Sequence, residues 1–106
     1  MRAILIKPDG ETVEEVQFNG TLDHAYELLG CTIIERVTLE SGEDVWFDEE
    51  GLINDSSLGT FDIEGFSLAG RGLVTGTAKD EDGEETFGDA TSDPETIRKA
   101  VEFNIY

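Results

Sequence analysis

Three positions offer a side chain that could act as a nucleophile or a base. They are His24, the one histidine, Cys31, the one cysteine, and the serine pair at 56–57. Nucleophilic catalysis needs a nucleophile, an adjacent base and a group that orients the base. His24 has acidic sequence neighbours, but no glycine-framed serine follows the pattern of a nucleophile elbow. We therefore interpret His24 as an exposed helix residue and Cys31 as a small buried residue, and we predict that the protein is not an enzyme.

Two acidic segments contain the other side chains that could bind a ligand. Their carboxylates are Asp48, Glu49, Glu50, Asp80, Glu81, Asp82, Glu84 and Glu85. Oxygen ligands suit Ca²⁺ and Mg²⁺, but a calcium loop with Gly83 or Gly51 at its sixth position would begin at Ala78 or Trp46, neither of which has a side-chain oxygen. A structural zinc site needs more cysteine and histidine than this chain has. We predict no metal and no cofactor, and we interpret both segments as solvated acidic loops.

Trp46 lies two residues before the first acidic segment, in an alternating pattern with Val45 and Phe47. The alternation places Trp46 on the opposite face of its strand from these two residues. Exposed tryptophans are enriched at protein interfaces. Two interpretations therefore stand: Trp46 joins the acidic carboxylates in an interaction surface, or it covers a second layer of core beneath the segment 51–70.

The charge balance excludes several partners. The chain has 106 residues, and 25 acidic side chains face seven basic ones, giving a net charge of -18. Direct binding to nucleic acid needs clusters of Lys and Arg, so we expect none. Anionic membrane surfaces are disfavoured in the same way, and no segment approaches the roughly 20 apolar residues of a membrane span. A single cysteine favours a reducing compartment, so we expect a cytoplasmic location.

The elements that would position these residues alternate between strands and short helices. Residues 2–18 and 32–47 read as β-hairpins, and another strand over 72–78 turns at Asp82-Gly83 into 85–88. Thr21 and Gly30 bracket a helix with Leu22, Tyr26 and Leu29 on its packing face. A second helix starts around residues 92–95 and leads into a tail. Residues 51–70 read as an irregular loop over the core. The sum is one α+β domain over residues 1–106, with an antiparallel or mixed sheet of about five to six strands and two short helices.

Two segments resemble a known family. Ala3-Ile4-Leu5-Ile6-Lys7-Pro8-Asp9-Gly10, and the later run Asp48-Glu49-Glu50-Gly51-Leu52, are similar to small uncharacterised proteins of bacteriophages and prokaryotes, grouped as a domain of unknown function. The resemblance covers about the first three quarters of the chain and leaves out residues 79–106. It implies an origin in a mobile element. It brings no catalytic residues.

Four hypotheses for the function remain open. The first is a non-enzymatic accessory protein that binds a basic protein surface. The second is a DNA mimic: a domain about 34 Å across spans about 20 phosphates of duplex DNA, but mimicry needs the acids at 43–50 and 80–95 to lie together. The third is a salt-adapted surface with no bearing on partners. The fourth is a small-ligand binder or enzyme with a site in the loop 51–70. The sequence leaves the oligomeric state open.

Overall fold

The computed structural model describes residues 1–50 and 59–104, which form nine β-strands and two α-helices. The strands are β1 (Arg2–Lys7), β2 (Thr12–Gln17), β3 (Ile34–Thr38), β4 (Asp44–Asp48), β5 (Thr60–Ile63), β6 (Phe66–Ala69), β7 (Gly72–Lys79), β8 (Glu85–Gly88) and β9 (Val101–Asn104). The helices are α1 (Leu22–Leu29) and α2 (Pro94–Ala100). No helix in the described part of the chain is long and apolar enough to cross a membrane.

Six strands form one antiparallel sheet in the order β2-β1-β7-β4-β3, with β8 paired to the far half of β7. Strand β7 is central because its first residues pair with β1 on one side and with β4 on the other. After β8, the amide of Ala90 donates to the carbonyl of Arg2, so the chain meets the start of β1. The sheet confirms the predicted hairpins and the predicted α+β fold class. Every strand pair in residues 1–50 and 59–104 is antiparallel.

A second, three-stranded sheet in the order β6-β5-β9 corrects the prediction of an irregular loop over 51–70. Residues 51–58 lie outside the described part, but 60–63 and 66–69 are strands, and the predicted tail contributes β9. Glu64 and Gly65 close the β5–β6 hairpin with positive φ angles of 47° and 83°. Glutamate rarely adopts that conformation, so Glu-Gly is a weak hairpin signal in a sequence. The Glu64 carboxylate accepts a hydrogen bond of 2.8 Å from the amide of Glu40, which ties the hairpin to the β3–β4 turn.

Both helices begin at the caps that the sequence predicts. The Thr21 hydroxyl accepts from the amide of His24, and Gly30 ends α1 in the left-handed conformation. Asp93 accepts a hydrogen bond of 2.7 Å from the amide of Thr96, with Pro94 at the first helical position. Each cap satisfies a backbone N–H that the helix leaves without a partner.

The six-stranded sheet has two differently covered faces. We call the side packed against the second sheet and α2 the closed face; its core includes Ile4, Val74, Phe61 and Ile97. A Cβ atom at Gly72 would lie 2.6 Å from the Phe61 ring, so the glycine permits this close packing. We call the other side, covered by α1, the open face. Its core is smaller and comprises Ala3, Leu5, Phe18, Ala25, Leu29 and Leu73.

Candidate functional site

A pocket of about 240 Å³ lies on the open face. It is lined by Leu22, Arg36, Trp46, Glu85, Thr86 and Phe87. Only Ala25 and Leu29 of α1 are buried against the sheet, while Leu22 at the start of the helix is 51% exposed. The prediction that Leu22 belongs to the packing face of α1 is therefore wrong. The helix covers one part of the open face and leaves the pocket beside its first turn.

Trp46 forms one wall of this pocket. Antiparallel pairing sets Trp46 between Arg36 of β3 and Leu73 of β7, on the opposite face from Val45. Its Nε1 donates a hydrogen bond of 2.9 Å to the hydroxyl of Thr75, which is fully buried. The indole is half-buried and has a fixed orientation. Strands β5 and β6 pack on the closed face, so Trp46 does not cover a core layer beneath residues 60–69.

Phe87 forms the second wall. Its ring lies 4.9 Å from the Trp46 ring at a tilt of 59°, and 5.0 Å from the Phe18 ring in an edge-to-face arrangement. Such edge-to-face and tilted pairs are favourable beyond the area that they bury. Because Phe18 is 1% exposed, the aromatic row runs from the open-face core out to the pocket.

An ion pair lies at the edge of the pocket, between the lining residue Arg36 and Asp44. Asp44 is 3% exposed and accepts hydrogen bonds from the hydroxyls of Thr38 and Thr77, each at 2.8 Å. Nη1 of Arg36 lies 3.2 Å from Oδ2 of the same carboxylate. Buried charges are tolerated when they are paired and hydrogen-bonded, and Asp44 meets both conditions.

Arg36 also contacts the rim. Its guanidinium carbon lies 5.6 Å from the centroid of the Trp46 ring. Its Nη1 lies 3.5 Å from Oε2 of Glu85, and the Glu85 side chain is 55% exposed. The pocket therefore combines an aromatic wall, one resident cation and one accessible carboxylate. This arrangement can bind an amphipathic cation; it contains no nucleophile paired with a base.

Of the predicted surface residues, only Trp46 and Glu85 line the pocket. Asp48 ends β4, and Glu49 and Glu50 follow it, near Gly72. Residues 80–84 form the β7–β8 turn. The seven steps of β7 separate these ends by about 23 Å. Within the turn, Oδ1 of Asp80 accepts from the amides of Asp82 and Glu84 at 2.9 and 3.0 Å, so this carboxylate holds the turn.

The residues with potential for catalysis lie outside the pocket lining. Nδ1 of His24 accepts a hydrogen bond of 3.0 Å from the amide of Asn19, and its ring stacks on Phe18. Burial, with a further contribution from the nearby Asp48 charge, raises the pKa of the Cys31 thiol to about 11, so it stays protonated. The serines at 56–57 fall outside the described residues. Within residues 1–50 and 59–104, no group of three or more His, Cys, Asp or Glu is placed to hold a metal ion.

Sequence reasoning missed four lining residues: Leu22, Arg36, Thr86 and Phe87. The contact between Arg36 and Trp46 could have been predicted, because a hairpin that turns at residues 41–42 places these two residues opposite each other. No sequence pattern predicted Phe87, because its contact with Trp46 crosses β7 and depends on how β8 pairs with β7. Leu22 fits the helical apolar pattern, and only the placement of α1 shows that it is exposed.

The comparisons with known proteins give a family and nothing more specific. Residues 1–101 match the family model described as "Domain of unknown function (DUF3846)". No curated protein matches the chain, and no solved structure matches it. The match confirms the resemblance to an uncharacterised family and extends beyond the three quarters of the chain expected from sequence, through α2. This protein therefore belongs to the family described as Domain of unknown function (DUF3846).

Proposed function

We propose that this protein is a non-enzymatic interaction protein that binds a basic protein surface by receiving one cationic side chain in the open-face pocket. One observation carries the proposal: a fixed, half-buried tryptophan and an exposed leucine flank an accessible carboxylate, Glu85, on a chain with a net charge of -18. Apolar walls would take the stem of the side chain while the carboxylate takes its charge.

The size of the pocket supports a single side chain as the occupant. Sites for small molecules usually enclose about 300–1,000 Å³, more than the 240 Å³ found here. Tryptophan is among the residues that most often dominate binding energy at protein interfaces, especially when packed in a pocket. Trp46 is held by Thr75 before any partner binds, so little rotational freedom is lost on association.

The charge supports a basic partner. Acidic side chains accelerate association with cationic surfaces and repel nucleic acid. They occur on eight of the eleven described strands and helices, which gives a broad field and does not favour one mimicking face. Within the segments that DNA mimicry would need, Glu43 and Asp44 are buried. The acids at 48–50 and at 80–85 lie at opposite ends of β7, and the acids at 89–95 lie in a third place, between β8 and the first turn of α2. This distribution supports protein binding over DNA mimicry.

Trp46 is the one tryptophan, so its fluorescence reports directly on the pocket. We expect a saturable fluorescence change on titration at 0.15 M salt with a Gly-Ser peptide that carries three spaced cationic residues, in one Lys and one Arg version. The uncharged Gly-Ser peptide should give no change. Saturation by neither cationic peptide would overturn the proposal.

Two matched variants separate the pocket from the overall charge. Glu85→Gln and Glu49→Gln each remove one negative charge from an exposed position, one at the pocket and one at the far end of β4. We expect Glu85→Gln to weaken binding about tenfold, the loss of a charged hydrogen bond, and Glu49→Gln to weaken it less than twofold. Equal losses would show that the pocket has no specific role. Continued thermal stabilisation into molar salt, with no peptide binding, would instead favour salt adaptation.

A further inference from the structure

We infer that the pocket selects arginine over lysine, and that Arg36 is an internal competitor that a partner arginine displaces from Glu85. This inference rests on the proposed function, since it specifies which cation enters the pocket and what holds the site before the partner arrives. It is carried by the unequal contacts that Arg36 makes with its two carboxylates.

Asp44 holds Arg36 firmly. Its carboxylate is buried and accepts three donors, from Arg36, Thr38 and Thr77. Release of Arg36 would leave a buried charge without its cation, which is strongly unfavourable. The guanidinium therefore stays beside Asp44 whether or not the pocket is occupied.

Glu85 is held weakly by comparison. Its contact with Arg36 is at the outer limit for a hydrogen bond, 3.5 Å, and both side chains are substantially exposed. Exposed ion pairs contribute about 0–1 kcal/mol. An incoming guanidinium can instead donate two parallel N–H groups to the Glu85 carboxylate, and this bidentate geometry is stronger. Exchange at Glu85 therefore favours the partner.

The aromatic walls favour a guanidinium over an ammonium. A planar guanidinium stacks on an indole and sheds its hydration more readily than the compact, strongly hydrated lysine ammonium. Arg36 itself lies 5.6 Å from the Trp46 centroid, close to the limit of about 6 Å for a cation–π contact. The tilted Phe87 and the exposed Leu22 leave apolar surface for the stem of a second arginine.

The test uses three peptides that differ at one central residue in a Gly-Ser background with two flanking lysines. The central residue is arginine, lysine or citrulline, the last being close in shape to arginine but uncharged. Binding is followed by Trp46 fluorescence and by calorimetry. We expect the arginine peptide to bind about tenfold more tightly than the other two, consistent with a bidentate charged contact.

The second arm tests the competitor. Arg36→Gln keeps an N–H donor for Asp44 but releases Glu85, so we expect the arginine peptide to bind up to about fivefold more tightly than it does to the wild type. Arg36→Lys preserves the charge beside Asp44 and replaces Arg36→Gln if circular dichroism shows that Arg36→Gln does not fold. Because the lysine ammonium reaches Glu85 less well than the guanidinium, we again expect tighter binding of the arginine peptide. Glu49→Gln is the control and should not change the ratio of arginine to lysine affinity.

Each alternative outcome has a distinct meaning. Equal, saturable binding of the arginine and lysine peptides overturns arginine selectivity and leaves the proposed function standing. Weaker arginine binding by both Arg36 variants shows that Arg36 is part of the recognition site and overturns the competitor role. A fourth peptide, with a central glutamate in the same background, is the anionic control. If it binds more tightly than the arginine peptide, the pocket is an anion site, which overturns both proposals. Absence of binding by every peptide to the wild type and both variants does the same.

Discussion

Glu43 and Asp44 are neighbours in the chain and equally buried, at 2% and 3% exposure, yet they serve opposite faces of the sheet. Glu43 accepts from the amides of Thr91 and Ser92, each at 3.0 Å, and from the hydroxyl of Ser41. All of its partners are uncharged, and they fix the segment that leads into α2. Asp44 instead holds a cation, Arg36, at the edge of a pocket.

The difference between the two carboxylates reflects the difference between the two faces. On the closed face, the second sheet and α2 complete the core, and Glu43 fastens the chain that covers it. On the open face, α1 is too short to cover the sheet, so an indole, a phenyl ring and a leucine remain accessible. Among the described residues, no buried side-chain polar atom lacks a hydrogen-bond partner. The open face therefore has its buried polar groups hydrogen-bonded and leaves apolar side chains accessible. The proposed binding role therefore belongs to the open face, whereas the closed face stabilises the fold.

The largest expected effect is the difference in stability between truncating a phenylalanine on the closed face and truncating one on the open face. Phe61 is fully buried on the closed face, so Phe61→Ala should lower the free energy of unfolding by about 3–5 kcal/mol. Phe87 is half-buried beside the pocket, and Phe87→Ala should cost about 1–2 kcal/mol because less apolar area is removed from water in the fold. Urea denaturation of both variants measures the difference. Equal losses would contradict the distinction between the faces.

The next effect concerns Glu43 and depends on pH. Burial raises its pKa, but the hydrogen bonds from Ser92, Ser41 and Thr91 outweigh burial, so the pKa lies below its ordinary value of 4.5. The ionised carboxylate therefore stabilises the fold above that pH, and its contribution is lost as the pH falls through the depressed pKa. We expect Glu43→Gln to cost about 2–3 kcal/mol at pH 7, with a smaller difference from the wild type as the pH falls below 4.5.

Asp44→Asn is the matched comparison for this prediction. It removes the charge that anchors Arg36, so it should change the fluorescence of Trp46, whereas Glu43→Gln should leave that fluorescence unchanged. A gap between Glu43→Gln and the wild type that widens in acid would reverse the expected sign and refute the role given to the Glu43 carboxylate.

The smallest effect on stability tests two leucines of α1. Leu22 is 51% exposed and lines the pocket, whereas Leu29 is 3% exposed in the open-face core. Leu22→Ala should change the free energy of unfolding by less than about 0.5 kcal/mol and still weaken binding of the cationic peptides. Leu29→Ala should cost about 2–5 kcal/mol. Loss of stability in Leu22→Ala comparable to that of Leu29→Ala would show that the residue belongs to the core.

Local chemistry made much of the fold predictable. Thr21 and Gly30 bracket α1, and Pro94 follows a capping aspartate at the start of α2, because these residues satisfy backbone groups within one turn. The alternation around Trp46 correctly placed it opposite Val45, since neighbouring side chains in a strand point to opposite faces. The sequence signals failed at the second sheet, where Glu64 closes a hairpin in a conformation that glutamate seldom adopts and Val101 passes from α2 into β9 with no turn residue.

The sequence by itself determined the charge, the family, both helices and the alternation of the main strands, because each depends on composition or on residues a few positions apart. Only the tertiary structure decided which face stays open and which side chains meet there. Leu22, Arg36, Trp46 and Phe87 come from four elements, which the pairing of β4 and β8 with β7 and the placement of α1 bring together. The same pairing places the two acidic segments at opposite ends of β7, a separation that residue types and spacing cannot specify.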